Sequence, residues 1–394
     1  MLPIHSFTYS IPYILITGAY LILAAGYNRD NGPKLRVVCL GMFFLFFGLR
    51  GFVSWDWHIY AEWFNNLEPL YGDLALNYSV ENDIGFTTFG TVIRTLTDKY
   101  EIFQVVNVII DCYVLNYIFK KYSFNYPLSF AVYMFVCLAM QMDTLRSLKA
   151  LEMFLISIPY IQRRDFKRFC ICMVVAFMLH ASAILYFPTY WLLNKQFNRT
   201  KLIYYIIIIN AIYLLQLPII QPLVQAFGNI VGGRLGYMAN IYASSAVYSL
   251  GRGITPSYIE RLITIILILL YYKRLFKASP NIGVFVNMYI IYLTVVLLGS
   301  EMIVIETRIG AMFIFSYTII WPALLKVAKR KSNKKIIVSW FATAILLFVA
   351  LRTNNVLYLY ENILTGAQTY EQRMLIYNYS SENDECRLFG PSEG

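Results

Sequence analysis

Charge is what this sequence has least of. Of its 394 residues only 14% are Asp, Glu, Lys or Arg, while 59% are hydrophobic and the mean hydropathy is +0.56. A soluble domain carries roughly a quarter charged residues, so the composition excludes an ordinary globular enzyme. Histidine is nearly absent: His5, His58 and His180 are the whole supply, thin for the His-based nucleophile system of a membrane acyltransferase. No Asp-x-Asp pair is present to hold a divalent ion, so no metal and no cofactor is expected. Cysteine is scarce as well. Cys39, Cys112, Cys137, Cys170 and Cys172 fall in or beside apolar segments, Cys386 has no evident partner, and the i, i+2 spacing of Cys170 and Cys172 puts them on different helix faces. No disulfide is expected. The first apolar run, 7–27, lacks a basic leader and reads as a true span and not as a cleaved signal.

What is abundant is long apolar runs separated by short basic loops. The class is an all-α polytopic integral membrane protein, one transmembrane domain over 1–394. The 33 basic residues outnumber 22 acidic ones, but they cluster between spans, where the positive-inside rule and not nucleic-acid binding explains them. The clusters are Arg29, Lys34 and Arg36; Lys120 and Lys121; Arg163, Arg164, Lys167 and Arg168; Lys195, Arg199 and Lys201; Lys273, Arg274 and Lys277; and Lys326 to Lys335. Placing all of them in the cytoplasm puts spans at 35–52, 101–119, 127–142, 148–161, 202–220, 257–274, 281–299, 309–325 and 336–351, with both termini outside.

One interval breaks the pattern. Residues 169–193 look like one span, yet both flanks are basic. A hairpin or re-entrant loop with its apex near His180 restores the topology and brings the total to about 12 membrane segments. From Phe169 to His180 a helix rises only about 18 Å, against roughly 30 Å of hydrocarbon, so His180 is expected deep in a cavity or at the head of helices that start nearer Arg163. The outer face is expected to hold two amphipathic segments, 53–100 and 221–256, and the tail 352–394. The first is rich in acids and aromatics (Asp56, Tyr60, Trp63, Glu81), a pairing that suits sugars, although an interfacial aromatic belt has the same composition.

Three ionisable groups interrupt apolar stretches: Arg146, His180 and Arg308. Such groups are costly in lipid and usually line a site, and two arginines with a histidine indicate an anionic, phosphate-bearing ligand. Glu301 and Glu306 read as partners for Arg308 or as acceptor-binding groups. His180 or a nearby carboxylate, Glu306 or Asp143, is the candidate general base.

The chain resembles the EpsG-like branch of bacterial polysaccharide polymerases, the Wzy-type O-antigen polymerases, over roughly residues 35–325. The motifs that carry the resemblance are Leu49-Arg50-Gly51-Phe52, Asp56 and Tyr60, Glu81 with Gly85-Phe86, Arg146 with Ala150, Phe177 to Ser182 around His180, Arg234 with Tyr237, and Glu306-Thr307-Arg308 before Pro322. There are departures: the family often has glycine where this chain has Ser54, and a polar amide where it has Ser147. The resemblance implies a metal-independent GT-C-like glycosyltransferase of the bacterial inner membrane, acting on undecaprenyl-pyrophosphate-linked glycans at the periplasmic face. A chain-length regulator and a flippase of the same pathway are the implied protein partners, beside membrane lipid. His180, Arg146, Arg308 and Glu306 are the expected catalytic residues. Arg50, Asp56, Tyr60, Glu81, Asp143, Lys149, Arg234, Tyr237 and Glu301 are the expected substrate contacts. An O-antigen ligase and a polysaccharide-lipid flippase are the alternatives.

Overall fold

In the computed structural model the described residues are 2–28, 30–78, 83–231, 233, 236, 237, 240, 241, 253–302, 305–328 and 331–383. They are helical, with isolated β-bridges and no strand among them. The first helix, α1 (Phe7–Ala25), is capped by Ser6, whose side chain accepts from the Thr8 N–H. Then α2 (Gly32–Phe43) opens with Pro33, which suits a first turn because its missing N–H would have no partner there. It runs on into a π-helical turn, Phe44–Gly48. Two short helices follow, α3 (Trp57–Asn65) and α4 (Ile84–Leu96).

The centre of the bundle is α5 (Tyr100–Tyr122), α6 (Tyr126–Val136), α7 (Leu138–Asp143) and α8 (Leu145–Gln162). Every residue of α6 is buried, as expected of a helix that is apolar all round. After α8 the chain turns into α9 (Phe166–Leu179) and a 3₁₀ segment, Ala181–Tyr186, which leads to the short α10 (Thr189–Leu192). The second half comprises α11 (Arg199–Leu214), α12 (Ile220–Val231), α13 (Pro256–Ala278) and α14 (Ile282–Leu298). A π-helical turn, Ile305–Gly310, precedes α15 (Ala311–Ile314), α16 (Tyr317–Val327) and α17 (Lys331–Arg352), and α18 (Tyr370–Asn383) closes the described chain.

By length and composition α1, α5 and α17 each suffice to cross a membrane, and a fourth span is formed by the pair Ile305–Ile314 and Tyr317–Val327, bent by 53°. The protein is therefore an all-helical membrane protein. Their lipid-facing sides carry exposed Leu15 and Ile22 on α1 and Ile109 and Tyr113 on α5, while aromatic rings fill the inside, such as Trp321 stacked on Phe341 at 3.8 Å.

The most polar part of the core surrounds Lys149. Its ammonium donates to Asn107 O at 3.0 Å, to Glu152 at 3.1 Å and to Asp111, so all three donors of the amine are spent. Gln141 bridges Asp111 to Tyr133. Buried charge on this scale is tolerable only when paired and fully hydrogen-bonded, and here one lysine lies between two carboxylates.

The basic loops gather at one end of the bundle. Asn125 in the α5–α6 turn donates to Ala24 O at the end of α1, Tyr122 OH to Gln162 at the end of α8, Asn194 to Ile161 O, and Asn287 to Lys195 O. The opposite end holds the N-terminus and the tail, where Ser6 N–H donates to Asn354 O at 2.7 Å and Val356 N–H to Ile4 O at 2.7 Å. Between Asp165 and Asn194 the chain leaves the basic end and returns to it. Its helix breaks at His180, which is extended at φ −162° and ψ 126°. The turn-back that the basic flanks demanded is at that residue.

Candidate active site

The site is assembled at the end opposite the basic loops, from five stretches far apart in sequence. The first is the loop after the Phe44–Gly48 turn. Arg50 in that loop is buried, with Nη2 3.4 Å from Met142 O and Nη1 without a hydrogen-bond partner. Asp143, at the end of α7, accepts from Ser54 Oγ at 2.7 Å, from Trp55 N–H at 2.8 Å and from Asp56 N–H at 3.3 Å. One carboxylate thereby shapes the turn that delivers Asp56 to the start of α3. Asp56 itself caps nothing, and among the described residues no group donates to its carboxylate. Burial, and then the neighbouring Asp143 charge, push its pKa up to about 7, against the opposing pull of Arg308 and Arg146. These four groups share one electrostatic neighbourhood. Tyr60, one turn further along α3, is buried beside Arg146 and Asp56.

Asp83 organises the second stretch. It accepts from Arg146 Nη1 at 3.2 Å, from the Ala181 N–H at 3.2 Å and from His180 Nδ1 at 3.0 Å. Burial alone would raise the Asp83 pKa, but the His180 hydrogen bond, the His180 and Arg146 charges and the Ala181 N–H outweigh it and hold the carboxyl below its usual range. Because a carboxylate only accepts, the contact assigns the ring proton to Nδ1 and leaves Nε2 of neutral His180 as an acceptor. Two residues later Gly85 lets α4 touch α9. A Cβ there would lie 2.8 Å from Met178 backbone atoms, so a larger residue would push Asp83 away from His180.

The Ile305–Gly310 turn supplies Arg308. It is exposed, and among the described residues its guanidinium makes no hydrogen bond and no ion pair. Glu306 on the same turn is held by Arg261 Nη2 at 2.8 Å, and Arg261 Nε donates to Tyr292 OH at 2.9 Å. Extra width in a helical turn, as a π-helix provides, recurs at functional sites.

Of the residues singled out in the sequence, the structure brings together Arg50, Asp56, Tyr60, Asp143, Arg146, His180 and Arg308. Glu306 is close by but engaged with Arg261. Lys149 lies away from them in the buried network of the core. Glu301 accepts from the N–H groups of Ile219, Ile220 and Gln221 at 2.6, 3.0 and 3.1 Å, capping α12. Tyr237 is exposed. Glu81 and Arg234 lie outside the described residues. Sequence reasoning passed over Asp83 and Arg261. An acid just before the start of α4, two residues ahead of Gly85-Phe86, was a readable sign of the first, and an arginine in the first turns of the apolar α13 of the second.

Ser54 holds an unusual backbone conformation in this turn. Its φ is +84°, a left-handed conformation that glycine adopts freely and that costs other residues on the order of 1–3 kcal/mol. Serine recovers part of that through its bond to the Asp143 carboxylate, since a hydrogen bond to a charged group contributes about 1.5–3 kcal/mol. Ser54→Gly is therefore expected to leave the thermal midpoint of the purified protein nearly unchanged. Ser54→Ala keeps the strain and loses the bond, and is expected to cost about 1–3 kcal/mol. Equal midpoints for the two variants would refute this account of the turn.

The chain was compared with known protein families, curated proteins and solved structures. The sequence profile of the EpsG family covers residues 35–364, which include the site residues placed above. No curated protein and no solved structure matches the chain.

Proposed function

The chain belongs to the EpsG family, and from that premise we propose that it polymerises undecaprenyl-pyrophosphate-linked oligosaccharide repeat units at the outer face of the bacterial inner membrane. The growing glycan leaves its lipid pyrophosphate and joins the non-reducing sugar hydroxyl of a new lipid-linked unit. The observation that carries this reading is the pairing of an unspent, exposed Arg308 with a half-engaged Arg146 around Asp56, at the end away from the basic loops. Positive loops mark the cytoplasmic side, so the site faces outward across about 12 segments.

The chemistry follows from those groups. The acceptor oxygen attacks the anomeric carbon, the bond from that carbon to the pyrophosphate oxygen breaks, and its electron pair leaves with the lipid pyrophosphate. Arg146 and Arg308 stabilise the charge that develops there, a guanidinium being a fixed fork of donors that stays ionised in a poorly solvated site. The acceptor proton passes to His180 Nε2, and Asp83 stabilises the imidazolium that results. Asp56, ionised, accepts a hydrogen bond from a sugar hydroxyl. Cations in this scheme do what a divalent metal does in other transferases.

Purified protein supplied with lipid-linked repeat units is expected to give a ladder of products with free undecaprenyl pyrophosphate. In cells, deletion is expected to shorten the surface polysaccharide to a single repeat. Loss of all polymer from the lipid A core would indicate a ligase instead, and accumulation of units on the cytoplasmic side a flippase. Either outcome would overturn the polymerase reading.

A further inference from the structure

The loop that carries Asp56 is held from two sides. Asp143 grips it from the bundle. On its other side the chain after α17 runs alongside it: Ile363 N–H donates to Leu49 O at 2.8 Å, Gly51 N–H to Glu361 O at 2.9 Å, and Ser54 N–H to Leu357 O at 2.9 Å. A single side chain then ties the two runs together. Arg373 of α18 is 2% exposed. Its Nε donates to Phe52 O at 2.5 Å, its Nη2 donates to Leu357 O at 3.2 Å, and its Nη1 lies 3.7 Å from Glu361.

The helix that brings Arg373 in is unusual for what it buries. Within α18 the buried residues are Arg373 and Ser380, with no apolar side chain among them. Ordinary surface helices dock through an apolar stripe, whereas this one docks through a guanidinium, helped by ring contacts at the rim. Tyr370 packs edge-on against Phe52 and Trp57, and Tyr377 against His58. Burying an arginine is costly unless its donors are aimed at acceptors, and here one donor is aimed at the loop carbonyl of Phe52 and one at the tail carbonyl of Leu357, with Glu361 as the counter-ion. The left-handed Ser54 lies inside that clasp, and strained backbone persists only where its surroundings over-determine it. Moreover α18 begins beyond residue 364, where the family match ends. The grip from Asp143 belongs to the part shared with the family, and the grip from Arg373 does not.

We propose that residues 353–383 form a strap that sets the Asp56 loop, with Arg373 as a positioning residue for the site described above. The strap as such is a property of the structure; its effect on catalysis rests on the polymerase reading. Without Arg373 the loop keeps its bonds to Asp143 but opens on the other side. Water then reaches Asp56, whose carboxylate no longer stands at the depth that Arg146 and Arg308 require.

The test uses the full-length protein with Arg373→Met, Arg373→Lys and, as control, Leu375→Ala, an exposed position on the same helix. Amide hydrogen exchange over 49–56 is the first readout. Losing the charged donors that tie the loop carbonyl of Phe52 to the strap carbonyl of Leu357 is expected to speed it on the order of tenfold or more in Arg373→Met, with Arg373→Lys between that and wild type. Exchange in α5 and in the control variant is expected to stay as in wild type. Unchanged exchange over 49–56, or a rise spread evenly over the whole protein, overturns the strap. Should Arg373→Met fail to fold, Glu361→Ala decides by the same measure, because it removes the counter-ion and leaves the carbonyl that Gly51 uses. In polymerisation assays Arg373→Met is expected to lower kcat with little change in KM and to move the acid limb of the pH profile downward, as Asp56 becomes hydrated. A fall in active fraction with an unmoved pH profile overturns the positioning role. If wild-type protein forms no polymer, the polymerase reading fails and the exchange result still decides the strap.

Discussion

Replacing Arg308 by lysine is expected to lower polymerisation by on the order of 10²- to 10³-fold at equal protein level, the range seen when one preorganised donor to a developing charge is removed. Arg146→Lys is expected to fall in the same range. The reason is geometric. A lysine ammonium is a point charge on a flexible stem, whereas a guanidinium offers two parallel donors to a phosphate. Arg308 is the sharper of the two tests, because among the described residues it has no hydrogen bond to lose, so its substitution disturbs substrate and not fold. Arg146 also anchors Asp83 at 3.2 Å, and its replacement is expected to loosen His180 as well. Wild-type rates in Arg308→Lys, measured as ladder formation by purified protein, would sink the pyrophosphate role.

The second large effect separates proton transfer from binding. His180→Ala is expected to slow turnover by roughly 10²- to 10⁴-fold, the usual contribution of general acid–base help, while lipid-linked substrate still binds with near-normal affinity. Asp56→Asn is expected to weaken acceptor binding instead. The pH profile gives an independent mark. Asp56 must be ionised to accept from a sugar hydroxyl, and its pKa stands at about 7, so activity is expected to fall as pH drops through that value. The same acid limb should persist in His180→Ala and disappear in Asp56→Asn. An unaltered rate in His180→Ala, with turnover lost instead in Asp56→Asn, would move the proton to Asp56.

Much of this was readable along the chain. Arg146, His180 and Arg308 announced themselves because each interrupts an apolar stretch, and lipid makes an unexplained charge expensive. The turn at His180 was legible from the basic flanks of 169–193, since one crossing there would have inverted every later loop. The engagement of Lys149 was not. It stands in the same kind of stretch as Arg146, three residues away, and only packing decides that its amine faces Asp111 and Glu152 while Arg146 faces Asp83. The same holds for Glu306, whose partner is Arg261, 45 residues back in sequence, and for Glu301, which caps a helix. The tail, 352–394, read only as an outer appendage. Its role depends on backbone carbonyls of the Asp56 loop, and a carbonyl leaves no trace in residue types.

By itself the sequence determined the class, the end on which the basic loops gather and the cations that make a site possible. Those follow from composition and periodicity, because burial in lipid selects residues one by one according to their own solvation. Which polar groups meet across the fold was decided by the tertiary structure alone. Asp83 on His180, Asp143 on Ser54 and Arg373 on Phe52 join residues from 89 to 321 positions apart. Ion pairs and hydrogen bonds of that kind depend on distances of about 3 Å, and no local pattern encodes a distance between segments so remote.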